Sequence, residues 1–368
     1  MKGFVLLLCV LFAACPAFAA KQYSYFRVGN PNDISATTTP GTVLMGGGTD
    51  VDAAFQWMCQ RSGGGDFLVI RATGTDAYNP YIQSLCPNEN SVATLIIPNR
   101  TAASDPFVVN AIQKVEALWI AGGDQSNYIN FWKGTPVETE LNNLIARGAP
   151  IGGTSAGMNV LSEFLYSALA SQGVTSSQAL ADPFSRYITL DRYFVNISIL
   201  QGLLDDPHFV TRDRMGRDLA FMCRVFLNGW SSTPRDIAID EQTALLIDAS
   251  RPRHSSRQQH RLLHASPRRA RTLPVKNAAH LPKHRRLQDQ FDRHVQPRNV
   301  DRHRRCCLYR IRQRRRPEFH AARRLNLLTL RLPTGFRVCA YRPRADEFGY
   351  PIRQFCVWVL RFPCLGTI

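Results

Sequence analysis

The sequence predicts an α/β protein whose mostly parallel β-sheet is covered by helices on both faces. Between residues 41 and 170, short and uniformly apolar runs alternate with longer amphipathic segments, as strands and helices do in parallel sheets. Glycine clusters follow the apolar runs, for example at 46–48 and 122–123. Open α/β sheets bind their ligands at the carboxyl ends of strands, so we expect the functional site at these glycines.

The apolar runs and the periodic segments define the order of the elements. We expect strands at 41–46, 66–71, 92–97, 117–120 and 150–153, followed by a later strand at 239–248. Helices are expected at 51–61, 78–85, 106–115, 126–147 (interrupted at 134–136) and 156–170. Asp50 is placed to cap the first helix.

The distribution of charge divides the chain near residue 250. The 368 residues have a formal net charge of +17, yet residues 251–368 contain 29 of the 45 Lys and Arg residues and 6 of the 28 Asp and Glu residues. The part before residue 250 is therefore mildly acidic, which argues against nucleic-acid binding by that part. We expect residues 20–250 to form the functional domain and expect no specific nucleic-acid partner.

The tail at 251–368 follows neither a helix period nor a strand period, and its Arg, His and Pro content begins abruptly. One interpretation is a basic arm that binds polyanions without specificity. The other, which we favour, is a segment translated from a shifted reading frame, disordered or without a designed fold. Translation of the other frames of the gene distinguishes the two interpretations.

Residues 1–19 have the order of a secretory signal peptide. Lys2 precedes an apolar stretch that ends near Ala14, and a small-x-small cleavage site follows at 17–19. The stretch is shorter than the roughly 20 residues of a transmembrane helix. We therefore expect a secreted or periplasmic protein without a membrane span, with a lipoprotein cysteine at Cys15 as an alternative.

The cysteine content suits an exported protein, because disulfides form in that environment. After removal of the signal peptide, Cys59, Cys86 and Cys223 are the cysteines that precede residue 250. Cys59 and Cys86 are spaced to close a surface loop, which would leave Cys223 as an odd, buried thiol. With Cys59 and Cys86 paired, Cys223 and His208 alone do not make a four-ligand zinc site, so we predict neither a metal nor a cofactor.

The segment at 152–157, GGTSAG, places Ser155 between a predicted strand and a predicted helix. A strained turn there would project the hydroxyl, and amides at the helix N-terminus would face a developing oxyanion. An ordinary glycine-rich turn is the alternative interpretation. His208 is the one histidine before residue 250. It is therefore the candidate for an imidazole base.

Charged residues follow the histidine in two groups. Arg212, Arg214 and Arg217 come first, and a cluster of this kind suits bidentate binding of a substrate carboxylate, with a solvated helix start as the alternative. The acidic pair Asp240–Glu241 comes later, inside an apolar run, and is expected to supply the acid that orients the imidazole. The alternation of the strand does not decide which of the two acids faces the site.

These motifs together resemble the cyanophycinase and aspartyl dipeptidase family of serine peptidases. The resemblance covers about residues 40–248 and runs through GGDQ at 122–125, GTSAG at 153–157, D-x-HF-x-x-R-x-R-x-x-R at 206–217 and IDE-x-TAL at 239–245. It implies a flavodoxin-like, class I glutamine amidotransferase-like three-layer sandwich. It also implies hydrolysis of aspartyl bonds, including the β-aspartyl-arginine bonds of cyanophycin.

The resemblance also implies roles for individual residues. Ser155 would be the nucleophile, His208 the general base and Glu241 its orienting acid, while the amides of Gly123 and Ala156 would bind the oxyanion. The residues implied around the substrate are Asp124, Gln125, Arg212, Arg214, Arg217 and Gln242. Pro207 and Gln242 stand where cyanophycinases tend to have Gln and Asn, so the specificity is open while the hydrolytic core is intact.

The leading hypothesis is therefore an exported, metal-independent serine peptidase that acts on a peptide or isopeptide substrate with an aspartyl residue. The chain order Ser, His, Glu argues against the lipases and esterases of the α/β-hydrolase class, in which the acid precedes the histidine. The alternative is a non-catalytic binding protein on the same scaffold, whose basic tail binds polyanions. A homodimer is left open.

Overall fold

The computed structural model describes residues 21–170 and 172–248, together with the backbone of three strands farther along the chain. The signal peptide predicted at 1–19 lies outside the described residues, as does the tail at 251–368 apart from those strands.

The strands are β1 Ser24–Gly29, β2 Gly41–Met45, β3 Asp66–Arg71, β4 Ser91–Ile96, β5 Ala117–Ile120, β6 Ile151–Thr154, β7 Phe164–Tyr166, β8 Leu190–Arg192, β9 Leu203–Asp206, β10 Arg235–Ile239, β11 Ala244–Asp248, β12 Leu327–Arg331, β13 Arg337–Tyr341 and β14 Val357–Arg361. The α-helices are α1 Asp52–Ser62, α2 Tyr78–Leu85, α3 Pro106–Gln113, α4 Gln125–Trp132, α5 Pro136–Ala146, α6 Ala156–Asn159, α7 Ser176–Ala181 and α8 Met215–Leu227.

These strands form two sheets. The larger has the order β1-β4-β3-β5-β6-β2-β11-β13-β12, and the smaller has the order β14-β10-β9-β7-β8. The centre of the large sheet, from β4 to β2, is parallel throughout, and antiparallel partners flank it on both sides. The described strands of the tail extend both sheets, with β13 beside β11 and β14 beside β10.

Helices cover both faces of the large sheet, which explains why its central strands are apolar throughout. On β3, Leu68 and Ile70 pack into one core with α3, α4 and α5, whereas Phe67 and Val69 pack into the other with α1 and α2. Because alternate side chains of one strand point to opposite faces, a strand buried on both faces needs apolar residues at every position. The predicted α/β three-layer fold is confirmed.

Two predicted elements are wrong in a way that matters for the site. The helix expected at 156–170 ends at Asn159, after which the chain enters β7 of the small sheet. The strand expected at 239–248 is interrupted by a turn at 240–243, which joins the end of β10 in the small sheet to β11 in the large sheet. That turn, rather than a strand, presents Asp240 and Glu241.

Smaller differences concern β1, the small sheet and a helix cap. The prediction contains neither β1 nor the small sheet as such, because their strands are short or only partly apolar. Val51, not Asp50, is the N-cap of α1, and it has no side-chain cap hydrogen bond.

The cysteines are paired in the structure. Cys59 and Cys86 form a disulfide with their Cα atoms 6.2 Å apart, and it ties α1 to the end of α2. Cys223 is buried on α8 and is disulfide-bonded, so the prediction of an unpaired thiol is wrong. Within the described ranges, no helix has both the length and the apolar character that a membrane span requires.

Candidate active site

Ser155 stands on the sharp turn between β6 and α6, at the carboxyl edge of the large sheet. Its backbone has φ 53° and ψ −117°, a conformation that non-glycine residues rarely adopt. The turn fits because its neighbours are glycines. A Cβ on Gly153 would lie 2.5 Å from the Gly157 carbonyl, and one on Gly157 would lie 2.0 Å from the Ile120 oxygen. The close packing of backbone on backbone leaves the Ser155 hydroxyl projecting from the turn.

The structure brings Ser155, His208 and Glu241 into one hydrogen-bonded line. The Ser155 Oγ lies 2.7 Å from His208 Nε2, and His208 Nδ1 lies 2.5 Å from Glu241 Oε1. Since an ionised carboxylate only accepts hydrogen bonds, Nδ1 carries the proton and Nε2 is left to accept one from the serine. This line can move a proton from the hydroxyl to the imidazole.

The imidazole of His208 is buried, and its burial lowers the pKa of the ring. The hydrogen bond to Glu241 raises that pKa, whereas the positive charges of Arg212 and Arg214 lower it further. Because the net shift is downward, the ring is neutral at neutral pH and can act as a base.

Three glycines after β2, at 46–48, support the line from Ser155 to Glu241, a role that was not predicted from the sequence. The Gly46 oxygen accepts from the His208 amide at 2.9 Å, and the Gly47 oxygen accepts from the Gln242 amide at 2.8 Å. A Cβ on Gly47 would lie 2.3 Å from the His208 ring, and one on Gly48 would lie 3.0 Å from the Glu241 side chain. Backbone therefore packs directly against both side chains, and the run of three glycines was the signal for it.

Gly122 and Gly123 follow β5 and lie beside the serine. A Cβ on Gly122 would be 3.5 Å from the Ser155 Cβ, and the Tyr128 hydroxyl fixes the loop by donating to the Gly122 oxygen at 3.1 Å. Ala156 is the first residue of α6 and follows the serine directly. The two loops that flank Ser155 thus contain the amides expected at the oxyanion.

Three of the residues implied around the substrate are engaged with the protein in other ways. Asp124 caps α4 by accepting from the Ser126 amide at 2.9 Å, and the Gln125 side-chain amide donates to the Tyr166 carbonyl at 3.2 Å. Gln242 has φ 57° on the turn after Glu241, and its amide is the one bound to Gly47.

The three arginines have different environments. Arg212 has a side chain that is 54% exposed, with Nε 3.6 Å from Glu241 Oε1. Arg217 is buried and forms a bidentate pair with Asp206, in which its Nε donates to Oδ2 at 2.8 Å. Arg214 donates to Asp206 at 3.3 Å and to the Pro207 carbonyl at 3.0 Å, and burial lowers the pKa of its guanidinium to about 10. Of the three, Arg212 alone presents its guanidinium to solvent.

Three buried carboxyl groups, which we call the buried carboxyl layer, lie close to Asp206. Burial raises the pKa values of Asp205, Asp218 and Asp236 well above the usual range, and repulsion between neighbouring carboxyl groups raises them further. Ser162 donates a hydrogen bond to Asp205 at 2.7 Å. In the part of the chain that the structure describes, no group of His, Cys, Asp and Glu residues has the arrangement of a metal site.

Comparisons with known proteins point in the same direction as the geometry. A family model described as Peptidase family S51 matches residues 88–252, which include the segments that carry Ser155, His208 and Glu241. No curated protein matches the chain in sequence.

Solved structures also resemble the chain. A crystal structure of a peptidase from an acI-B1 Actinobacterium is 16% identical, covers 58% of this chain and 84% of its own, and gives a TM-score of 0.40. A putative Peptidase E protein from Listeria monocytogenes EGD-e is 15% identical, covers 58% of this chain and 96% of its own, and gives a TM-score of 0.38. Because both TM-scores lie below 0.5, the identification as a peptidase rests on the family match.

Proposed function

We propose that the chain, whose residues 88–252 match the model of Peptidase family S51, is a serine peptidase that hydrolyses peptide or isopeptide bonds that follow an aspartyl residue. The observation that supports a catalytic role is the line of contacts from Ser155 Oγ to His208 Nε2 and from His208 Nδ1 to Glu241. A projecting hydroxyl, a neutral imidazole and a carboxylate in this order form a nucleophile, a general base and its orienting acid.

In the proposed reaction, Ser155 Oγ attacks the scissile carbonyl carbon while His208 Nε2 takes the hydroxyl proton. The oxygen of the tetrahedral intermediate accepts hydrogen bonds from the amides of Gly123 and Ala156. The C–N bond then breaks, His208 returns the proton to the leaving amine, and an ester remains on Ser155. Water activated by His208 hydrolyses the ester, and Glu241 holds the Nδ1 proton throughout.

Preference for an aspartyl residue is proposed from the position of Arg212. Its exposed guanidinium is next to Glu241, so it lies within reach of the reacting atoms and of solvent. A guanidinium pairs with a carboxylate through two parallel hydrogen bonds, which selects charge and planarity together. Asp124, Gln125 and Gln242 line the same edge of the sheet and are candidates for the rest of the substrate.

Export is part of the proposal. It is supported by the pattern of residues 1–19 and by the Cys59–Cys86 disulfide, because disulfides persist in oxidising compartments. Detection of the mature chain in the culture medium or the periplasm, with its N-terminus at about residue 20, tests this part.

The proposed activity is tested with Ser155→Ala and a panel of α- and β-aspartyl dipeptides that includes β-aspartyl-arginine, together with cyanophycin. We expect turnover by the full chain and none by the folded variant. A fluorophosphonate, which reacts with activated serines, should label the full chain at Ser155. If the protein binds aspartyl peptides but is neither labelled nor active, it is the non-catalytic binding protein of the alternative hypothesis.

A further inference from the structure

The backbone of His208 has φ 49°, in the left-handed region that a histidine rarely occupies. The conformation aims the ring at Ser155 on one side and at Glu241 on the other. A strained residue holds its conformation only where its surroundings determine it. The contacts that hold this turn therefore decide whether the imidazole meets both partners.

Arg214 contacts the backbone of the residues before and after His208. Its guanidinium donates to the carbonyl of Pro207 at 3.0 Å, and its backbone amide donates to the carbonyl of Phe209 at 2.8 Å. The Arg214 guanidinium also donates to Asp206 Oδ1 at 3.3 Å, and the same carboxylate is paired with Arg217. With its side chain only 16% exposed, Arg214 faces the turn rather than solvent.

Asp240 holds the residues that follow the histidine. Its Oδ1 accepts from the amides of Val210 at 3.1 Å and Thr211 at 2.9 Å. Asp240 is also the neighbour of Glu241, so it joins the turn that carries the acid to the turn that carries the base.

We propose that Arg214 and Asp240 are positioning residues that lock the left-handed turn of His208, so that one imidazole reaches Ser155 and Glu241 together. The proposal rests on the proposed function, in which His208 is the general base. It assigns Arg214 to the histidine turn and not to the substrate carboxylate, which is left to Arg212.

The test compares Arg214→Met with Arg212→Met, two removals of a guanidinium two residues apart. For Arg214→Met we expect kcat for an aspartyl dipeptide to fall by about 100-fold, since misplacement of a catalytic group by about 1 Å has that effect, with little change in KM. Labelling by an uncharged fluorophosphonate should slow by a similar factor. Arg212→Met should mainly raise KM and slow labelling far less, because the reagent has no carboxylate to bind.

Asp240 offers a second pair of variants that leaves no buried charge unpaired. Asp240→Ala removes the acceptor of the two amides and should lower kcat and the labelling rate. Asp240→Asn keeps a side-chain oxygen at the same place and should restore most of both rates. Circular dichroism and thermal unfolding check that each variant is folded.

Proton NMR gives a readout that does not require activity. The proton on His208 Nδ1, hydrogen-bonded to Glu241, should give a far-downfield signal that Glu241→Gln identifies by moving or removing it. We expect Arg214→Met and Asp240→Ala to weaken or shift this signal and Arg212→Met to keep it.

The proposal is overturned if Arg214→Met and Asp240→Ala keep both the signal and the labelling rate of the unaltered chain. It is also overturned if Arg214→Met raises KM alone. If the unaltered chain is neither labelled nor active, the proposed function fails, and the NMR comparison still decides whether these residues position the ring.

Discussion

An arginine pairs with a carboxylate on each side of the His208 turn, but one pair is exposed to solvent and the other is buried. On the outer side, Arg212 lies 3.6 Å from Glu241, and the two side chains are 54% and 24% exposed. On the inner side, Arg217 is paired with Asp206, and these side chains are 6% and 1% exposed. An exposed guanidinium can exchange its partner for a substrate carboxylate at little cost. A buried one cannot leave its carboxylate without stranding a charge. The motif of three arginines therefore divides into one candidate for substrate binding, Arg212, and two residues that pair with Asp206.

The largest expected effect is on stability, at the inner side. Arg217→Met should lower the free energy of unfolding by about 3–5 kcal/mol, because it removes one partner of a buried pair and leaves Asp206 with Arg214 alone. Urea unfolding followed by tryptophan fluorescence measures the change. Arg212→Met is the control and should lower stability by less than about 1 kcal/mol. Equal losses in the two variants would remove the distinction between the two sides.

The next largest effect is on activity and concerns Gly47, one of the three glycines that pack against His208 and Glu241. Gly47→Ala adds a methyl group where it would meet the His208 ring at 2.3 Å, on a backbone with φ 95°. We expect kcat/KM to fall by about 100-fold as the ring is displaced. Gly229→Ala is the matched control, since Gly229 has φ 70° with no atom within 4 Å of an added Cβ. Gly229→Ala should introduce similar backbone strain but leave activity unchanged. A similar loss of activity in both variants would contradict the proposed contact between residue 47 and the His208 ring.

The smallest effect is a shift in pH dependence. The charge of Arg212 lowers the pKa of His208, so Arg212→Met should raise that pKa. Because the base must be neutral, kcat/KM falls as pH drops through the pKa of His208. The acid limb of the profile should then move to higher pH. If the acid limb moves to lower pH instead, a group other than His208 controls it. Arg186→Met is the control: it removes an exposed arginine elsewhere on the surface and should leave the acid limb in place.

Patterns within short stretches of sequence predicted the central strands of the large sheet and the position of Ser155. They did not predict features that depend on how distant segments pack together. Buried strands such as Ala117–Ile120 are visible because each residue is apolar, and Ser155 is visible because small residues surround it. The turn at 240–243 is hidden, because apolar residues on both sides disguise the passage from one sheet to the other. No spacing rule shows that Gly47 packs on a histidine about 160 residues away.

The arginines illustrate the same limit within a single motif. Helical spacing places Arg214 and Arg217 on one face, but it does not tell what the face packs against. The partner of both, Asp206, stands in the same motif two residues before His208. Asp206 is buried at the end of β9, where its carboxylate pairs with two of the three arginines.

The pH dependence of stability that the buried carboxyl layer produces is opposite in direction to the pH dependence expected for His208 as a base. Asp205, Asp218 and Asp236 have pKa values raised by burial, so the folded chain keeps protons that the unfolded chain releases above about pH 4. Their contribution to stability is complete below that pH and is lost as pH rises through the folded-state values. The imidazole proposed as the base has the opposite requirement, since it accepts a proton only above its lowered pKa. These three carboxyl groups therefore favour the folded state at low pH, whereas the proposed base is already neutral at neutral pH.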